Sequence, residues 1–331
     1  MRLPRFDWVA PSSLKDASEI LKGERDRAKL LAGGTDLLIA MKQRFLNPGH
    51  IIDLKNIPGL SGIHTLPNVG VKIGPLTKLV EVATSGVMKQ YYPSLAKAAS
   101  SVGSYQIRNL GTIGGNLCLD TKCYYFNQSS CWKKSSDKCR KGGGDRCYTL
   151  PSSTHGCYAL LSGDTVPALI ALHAHIRITG PEEERIIPLE EFYTGRGIEH
   201  LNLRLGEILS EIHLPPSKGI ETVFFKYSPR NTIDFALASV AVSLERFLHE
   251  ARIVVGRVSS APQRIKDAEE LLIQKLNGDV SDEVGKLAAA RVKIVSPIKS
   301  EVNYKREMIR LLVRDAVKRI QASHENQKRD D

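Results

Sequence analysis

The chain has 331 residues, of which 42% are hydrophobic and 25% charged, so it can form two or three globular domains and is not a disordered or fibrous protein. Its formal net charge is +11, but Lys and Arg are spread along the chain without a nucleic-acid-binding motif, and we expect no nucleic-acid partner. The first residues contain no apolar signal segment and the apolar runs are too short to span a bilayer, which predicts a cytoplasmic protein without membrane contact.

The first 55 residues follow the pattern of a strand–helix–strand unit. A strand is predicted over 29–32, a helix over 37–41 and a strand over 50–54, with Gly33-Gly34-Thr35-Asp36 as the first connection. Two glycines allow the backbone to approach a ligand closely, and the free N–H groups at a helix start suit a pyrophosphate. The alternative interpretation is a tight turn with Thr35 or Asp36 as the helix cap. Neither a Rossmann nor a P-loop fingerprint is present.

A second glycine-rich segment, Gly111-Thr112-Ile113-Gly114-Gly115-Asn116, follows a region with one predicted strand and two helices. Its Thr and Asn side chains can hydrogen-bond a phosphate or a ribose. Two such loops, both flanked by hydrogen-bonding side chains, predict that they converge on one long polyphosphate cofactor.

The C-terminal half alternates strands and helices. Ile176–Ile178 and Ile186–Leu189 flank a Gly-Pro turn, which predicts a β-hairpin. Strands are predicted over 235–244 and 252–258, and helices over 266–276, 281–292 and 304–320. The polar residues 323–331 predict a disordered tail.

All six cysteines lie between Cys118 and Cys157. Clustered thiols in a reducing cytosol are more typical of metal ligands than of disulfides. Four thiolates suit a [4Fe–4S] cluster, which would also order a loop-rich segment. Zinc is the main alternative, although four-cysteine zinc sites are usually built from two close pairs, and here only Cys118 and Cys123 form one. Seven Lys or Arg against three Asp between Cys118 and Cys157 favour an acidic protein partner.

Three motifs together resemble the FAD-binding medium subunit of the molybdenum hydroxylases, the family of xanthine dehydrogenase and carbon monoxide dehydrogenase. They are Ala32–Asp36, Asn109–Leu117 and the Gly-Asp-x-x-Pro-Ala-Leu run that begins at Gly163, and further matches extend to about residue 320. The resemblance implies an α+β chain. A vanillyl-alcohol-oxidase-type FAD-binding domain would comprise two α/β subdomains, residues 1–55 and 56–215. A C-terminal α+β domain of the CO dehydrogenase flavoprotein type would follow over 216–322.

The same resemblance implies which residues bind FAD. The segment from Leu30 to Leu37 would wrap the pyrophosphate, and Asp164 would bind ribityl or ribose hydroxyls. Leu209 and Lys226 would lie near the isoalloxazine, where the lysine charge would favour the reduced anionic flavin. The full set of implied cofactor residues is Leu30, Leu31, Ala32, Gly33, Gly34, Thr35, Asp36, Leu37, Val102, Thr112, Gly115, Asn116, Asp164, Leu209 and Lys226.

The cysteines occupy an insertion, residues about 117–160, that separates Asn116 from Asp164 by 48 positions (164 − 116). Most members of the family have a much shorter connection here. The insertion is similar to the one in the FAD subunit of 4-hydroxybenzoyl-CoA reductase, which carries a [4Fe–4S] cluster. The resemblance implies four ligands, Cys123, Cys139, Cys147 and Cys157, and leaves Cys118 and Cys131 unligated.

These resemblances imply an electron-transfer subunit with FAD and a [4Fe–4S] cluster. Its partners would be a molybdenum-cofactor subunit and a [2Fe–2S] subunit, in a dimer of heterotrimers, with ferredoxin as electron donor and reductive dehydroxylation of 4-hydroxybenzoyl-CoA as the reaction. An oxidative molybdenum hydroxylase acting on another aromatic or purine substrate is the alternative. A zinc-stabilised binding module without FAD is the alternative from another class. No residue of this chain is expected to be catalytic.

Overall fold

The computed structural model describes residues 2–128, 138–153, 156–217, 219–230, 232–276, 278–296 and 298–330, without the side chains of 299 and 323–330. The described residues form three β-sheets with helices packed on them. The predicted α+β fold class is therefore confirmed.

The first sheet is parallel and contains the predicted N-terminal unit. Its strands are β1 (Asp7–Val9), β2 (Ala28–Leu31) and β3 (His50–Asp53), in the order β1-β3-β2. Helix α1 (Leu14–Glu24) begins behind Ser13, whose hydroxyl accepts a hydrogen bond from the Asp16 backbone N–H at 3.1 Å. Helix α2 (Leu37–Lys42) is the crossover that parallel strands β2 and β3 require.

The second sheet is antiparallel and carries the main core. Its strands, in the order β4-β5-β8-β6-β7, are β4 (Ile63–Leu66), β5 (Gly70–Ile73), β6 (His175–Thr179), β7 (Glu184–Pro188) and β8 (Ile208–Leu214). The predicted hairpin is confirmed as the β6–β7 pair. The helices of this region are α3 (Leu79–Thr84), α4 (Gly86–Tyr91), α5 (Pro93–Ser100), α6 (Tyr105–Leu110), α7 (Ile113–Leu117) and α8 (Thr165–Ala171). Fully buried Leu169, Ile176 and Phe192 join helix α8 to this sheet.

The third sheet is also antiparallel and forms the C-terminal part. Its strands, in the order β12-β11-β10-β9, are β9 (Ile220–Tyr227), β10 (Ala238–Glu245), β11 (Glu250–Gly256) and β12 (Gln263–Arg264). Helices α9 (Lys266–Gln274) and α11 (Lys299–Asp330) pack on it, and α10 (Ser281–Arg291) packs against these two helices. A second core, with Val242, Ile253 and Val313 fully buried, lies between them.

Helix α11 differs from the sequence prediction, which ended the helix at residue 320 and made 323–331 a disordered tail. Its backbone continues as helix through Asp330. Among the described side chains of this helix, which end at residue 322, the last buried one is Ile320. Residues 321–330 contain neither Gly nor Pro and are rich in Glu, Gln, Lys and Arg, which have high helix propensity.

The cysteine-bearing insertion leaves and re-enters the fold at one point. Lys122 and Leu160 form an antiparallel β-bridge in which each backbone N–H donates to the other residue's carbonyl at 2.8 Å. Residues 129–137 and 154–155 of the insertion, with Cys131 and His155, lie outside the described residues. Separately, none of the described helices combines the length and apolar content needed to cross a bilayer.

Candidate functional site

A cavity of about 1790 Å³ lies where the glycine-rich loops, the base of the insertion and the C-terminal part meet. Of the fifteen implied cofactor residues, all but Leu31 and Lys226 line it. The thirteen are Leu30, Ala32, Gly33, Gly34, Thr35, Asp36, Leu37, Val102, Thr112, Gly115, Asn116, Asp164 and Leu209. Residues distributed over 180 positions of sequence (209 − 30, counted inclusively) thus share one wall.

The two glycine-rich loops pack backbone against backbone. A Cβ atom on Gly33 would lie 2.1 Å from the Leu110 carbonyl oxygen, and one on Gly114 would lie 2.5 Å from the Pro75 side chain. Gly34 has φ +71°, the left-handed region that favours glycine. The predicted convergence of the loops is therefore confirmed, and two of the glycines are required by sterics before any cofactor is considered.

Hydrogen bonds join the second loop to the Asp164 segment. The Thr112 hydroxyl caps helix α7 by accepting from the Gly115 N–H at 3.1 Å. The side-chain amide oxygen (Oδ1) of the buried Asn116 accepts hydrogen bonds from both the backbone N–H and the hydroxyl of Thr165, at 3.1 and 2.7 Å. Asn116 thus acts within the protein, where it positions Asp164 beside the glycine-rich loop.

Asp36 connects the first loop to the insertion. It occupies the N-cap position of helix α2, but its side chain makes no capping hydrogen bond there. Its carboxylate instead accepts from the Lys122 ammonium at 2.5 Å, and Lys122 is only 15% exposed. Asp36 is therefore the N-cap residue, as the alternative interpretation allowed, but its carboxylate binds Lys122 and does not cap the helix.

Asp164 and Lys226 form a buried ion pair at 2.8 Å. The Lys226 ammonium also donates to the carbonyls of Ser101 and Asp234, each at 2.9 Å. Burial raises the pKa of Asp164, while Lys226 and Arg257 oppose that shift. Lys226 does not line the cavity, and its charge is paired with Asp164. Its place near the isoalloxazine remains a prediction.

Arg257 lines the same cavity and was missed by sequence reasoning. Its Nε donates to the Ala236 carbonyl at 3.2 Å, Nη1 donates to the Ser162 hydroxyl, and the guanidinium stacks 5.0 Å from the Phe235 ring centroid. Burial lowers its pKa to about 10. Its φ of +66° is unusual for a residue with a side chain. The sequence offers no signal for this, beyond its position directly after Gly256 at the end of a predicted strand.

The proposed cluster cysteines lie in one part of the insertion. Burial raises the pKa of the Cys157 thiol, and the nearby thiols of Cys147 and Cys123 raise it further, against opposing effects from Lys141 and the Ala159 backbone. Cys123 lines the cavity and its sulfur lies 3.3 Å from the Thr149 hydroxyl. Cys139 begins the short turn that contains Lys141. Within the described part of the chain, no three His, Cys, Asp or Glu side chains are close enough to hold one metal ion.

Lys141, in the middle of the insertion, binds the residues at its base. Its ammonium donates to the Asp120 carboxylate at 2.7 Å and to the Thr121 carbonyl and hydroxyl at 2.8 and 2.6 Å. It also lies 5.4 Å from the Phe126 ring centroid, and its side chain is only 9% exposed. Lys122 and Lys141 are among the basic residues from which we predicted an acidic protein partner. Both are instead largely buried in ion pairs within the chain.

Cys118 is not part of this group. It packs against the main core and lines the cavity, and burial raises the pKa of its thiol to about 12. A thiol with so high a pKa is a poor metal ligand, because the thiolate is the form that binds metals.

The chemistry of the wall fits FAD. Tight glycine turns allow backbone N–H groups to approach a pyrophosphate, and the Asp164 oxygen that Lys226 does not contact remains an acceptor for hydroxyl groups. Buried Leu209 and partly buried Val102 supply apolar surface for a ring system. A cavity of about 1790 Å³ accommodates a dinucleotide, since it exceeds the roughly 300–1,000 Å³ typical of drug-sized ligands.

Comparison with known proteins gives a consistent result. Residues 4–217 match the FAD-binding domain of molybdopterin dehydrogenases, and residues 223–320 match the CO dehydrogenase flavoprotein C-terminal domain. The glyceraldehyde dehydrogenase medium chain of Sulfolobus acidocaldarius is 27% identical over 96% of this chain and 99% of its own. The aldehyde oxidoreductase FAD-binding subunit of Escherichia coli is 32% identical over 75% of this chain and 80% of its own.

A solved structure extends the comparison to the fold. Carbon monoxide dehydrogenase from Hydrogenophaga pseudoflava, in a form that lacks the Mo-pyranopterin moiety, contains a chain that superimposes with a TM-score of 0.77 at 27% identity. The match covers 97% of this chain and 99% of the other.

Proposed function

Because the chain belongs to the family of FAD-binding medium subunits of molybdenum-containing dehydrogenases, we propose that it is the flavin-carrying electron-transfer subunit of a molybdenum enzyme complex. The observation that carries the proposal is the single cavity wall formed by two glycine-rich loops and Asp164. FAD, when bound, supplies a group that exchanges one or two electrons.

The residues of this chain bind and orient the cofactor. We assign the backbone from Leu30 to Leu37, with Thr112 and Gly115, to the pyrophosphate. Asp164 accepts from sugar or ribityl hydroxyls through its free oxygen, and Lys226 and Asn116 hold that carboxylate segment in place. None of these groups forms or breaks a substrate bond, so the substrate site belongs to a partner subunit.

Flavin content of the purified full-length chain tests this assignment. We expect one FAD per chain, and an Asp164→Asn variant that binds FAD about tenfold more weakly, since hydrogen bonds to charged groups contribute about 1.5–3 kcal/mol. Glu199→Gln is the matched control, because Glu199 borders the cavity but is 81% exposed. A wild-type chain that bound no FAD when supplied with it would contradict the proposal.

We further propose that Cys123, Cys139, Cys147 and Cys157 hold a [4Fe–4S] cluster. The thiols of Cys147 and Cys123 lie close enough to Cys157 to raise its pKa, which supports this, as does the presence of Cys123 in the cavity wall. A cubane binds each thiolate to a different iron, so its cysteines stand further apart than the ligands of one zinc ion do.

Metal analysis under anoxic conditions distinguishes the cluster from zinc. We expect about four irons per chain for a four-iron cluster, and loss of iron with retention of FAD in Cys139→Ser. Cys118→Ala is the control and should keep its iron, because the buried Cys118 thiol is outside the proposed ligand set. Zinc without iron would rule out the cluster, and zinc without flavin would favour the zinc-stabilised binding module.

For the assembled enzyme, we propose partners with a molybdenum cofactor and with [2Fe–2S] centres, in a dimer of heterotrimers. We propose ferredoxin as the electron donor and 4-hydroxybenzoyl-CoA as the substrate, which loses its phenolic hydroxyl to give benzoyl-CoA. The similarity of the insertion to that of the corresponding reductase supports this choice. The names of the matched relatives, which are dehydrogenases or oxidoreductases for aldehydes and carbon monoxide, support an oxidative molybdenum hydroxylase as the second candidate.

The direction of electron flow separates these candidates. The assembled complex is incubated anoxically with reduced ferredoxin and 4-hydroxybenzoyl-CoA, and benzoyl-CoA is measured. Formation of benzoyl-CoA supports the reductive assignment. Flavin reduction by an aromatic, purine or aldehyde substrate, without benzoyl-CoA formation, supports the oxidative one.

A further inference from the structure

On the C-terminal side of the cavity, the charged groups around Arg257 include one more cation than anion. Three cations there each contact a carboxylate: Lys226 pairs with Asp164 at 2.8 Å, Arg230 with Asp234 at 3.2 Å and Lys305 with Glu301 at 3.1 Å. Arg257 lies close enough to feel Asp164, Glu301 and Asp234 electrostatically. Among the described residues, no carboxylate oxygen lies within 4.0 Å of its guanidinium, so it is the fourth cation beside three paired anions.

The guanidinium is held in place by uncharged groups. The Ala236 carbonyl, the Ser162 hydroxyl and the Phe235 ring fix Nε, Nη1 and the plane of the group. No described residue accepts from Nη2, and Arg257 is partly exposed as it lines the cavity. Enclosure disfavours its charged form, which is why the pKa falls to about 10. A desolvated cation with no carboxylate in direct contact is costly unless a ligand supplies the negative charge.

The backbone conformation gives an independent indication. Arg257 has φ +66°, directly after Gly256 at the end of strand β11. A residue with a side chain in this region is strained by roughly 1–3 kcal/mol, and such strain is concentrated at ligand-binding sites. Glycine would adopt this φ without strain, so the arginine side chain is placed here at a conformational cost.

We propose that Arg257 faces the redox-active ring of FAD and balances the negative charge that the ring gains on reduction. This rests on the proposed flavin-binding function and moves to Arg257 the role that the sequence assigned to Lys226. A flavin that takes up two electrons and one proton gains one net negative charge. Asp164 already compensates Lys226, so the uncompensated guanidinium is the group that can stabilise this charge.

The test measures the two-electron midpoint potential of FAD bound to the full-length chain. In Arg257→Gly we expect binding of reduced relative to oxidised flavin to fall at least tenfold, which lowers the potential by about 30 mV for a two-electron couple. Arg257→Lys retains the charge, so its binding of reduced relative to oxidised flavin should stay within threefold of the wild-type value. Arg196→Met is the matched control, because Arg196 also lines the cavity but is 74% exposed.

Glycine suits the backbone at this position, so Arg257→Gly is expected to fold, and its thermal unfolding checks this. Arg257→Met provides a second neutral variant with a long side chain. The proposal would be overturned if the binding of reduced relative to oxidised flavin stayed within twofold of the wild type in both neutral variants. It would also be overturned if Arg257→Lys lowered the midpoint potential as much as the neutral variants do. Failure of the wild type to bind FAD would overturn both this proposal and the proposed function, whereas normal FAD binding with unchanged potentials would overturn this one alone.

Discussion

Two buried lysines organise two different regions around the cofactor cavity. Lys226 joins the Asp164 segment, the Ser101 carbonyl and the Asp234 carbonyl, and both members of its ion pair are less than 10% exposed. Lys141 organises the insertion, but its partner Asp120 is 41% exposed. The flavin-side wall therefore depends on tightly packed backbone and a desolvated ion pair. The insertion depends on polar contacts at its base, and its cysteines become ligands only if a metal is bound.

The largest effect on this comparison is expected from Lys226→Met. The substitution leaves the Asp164 carboxylate buried without its cation, which should destabilise the protein by about 3–5 kcal/mol. Chemical denaturation of the FAD-free chain measures the change. Lys22→Met is the control, since its pair with Glu182 is exposed to solvent and its loss should change stability little. Equal effects of the two substitutions would show that the Lys226 pair is not the anchor described here.

Gly33→Ala tests the backbone contact between the glycine-rich loops. A methyl group 2.1 Å from the Leu110 carbonyl forces the loops apart, which should cost about 1–3 kcal/mol and abolish FAD binding. Gly23→Ala is the matched control: it lies in helix α1 with no atom within 4 Å of the added Cβ, and should stabilise by about 0.5–1 kcal/mol. Unchanged FAD affinity in Gly33→Ala would contradict the close approach of the loops.

Lys141→Met tests the insertion separately. We expect a smaller loss of stability, about 2 kcal/mol, because Asp120 can be hydrated once its partner is removed. Iron binding should fall more than FAD binding, since Lys141 lies in the insertion beside Cys139. Iron-to-flavin ratios measured on the same preparation check this. An equal loss of both cofactors would mean that the two regions are not separable.

The smallest expected effect is the pH dependence of stability that His200 causes at the base of the insertion. Burial lowers the pKa of His200, which lies near Asp120 and Lys141. The unfolded chain then binds a proton more readily than the folded chain does, so stability should fall as the pH decreases from about 6.5, the ordinary pKa of histidine. Denaturation between pH 7 and 5 should show a shallower pH dependence for His200→Gln than for the wild type. A slope unaffected by the substitution would exclude His200 as its source.

Much of this fold could be predicted from sequence because the decisive signals are local. The Gly33–Asp36 and Gly111–Asn116 segments show sharp turns, and the Gly180-Pro181 turn between two apolar runs indicates the β6–β7 hairpin. Helices α9 and α10 also lie where the sequence predicts them. The contact between the glycine-rich loops also followed from chemistry, since two turns suited to phosphate binding predict one shared cofactor.

Other features depend on pairing between distant residues, which no local pattern records. The Lys122–Asp36 and Lys226–Asp164 pairs span 86 and 62 positions, and neither partner could be assigned from its own motif. Arg257 depends on a backbone angle that becomes visible only in three dimensions. Helix α11 was predicted too short because its last turns depend on helix propensity, while the prediction followed the apolar stripe.

The bridge between Lys122 and Leu160 has an evolutionary consequence. A segment whose two ends are neighbours can be gained, lost or exchanged in one genetic event, because the rest of the chain keeps its path across the gap. Both halves of the cofactor wall lie outside this bridge, at Asn116 and Asp164, and would remain in register. If the insertion holds the proposed cluster, its removal would take away that centre and leave both halves of the proposed flavin wall in the chain.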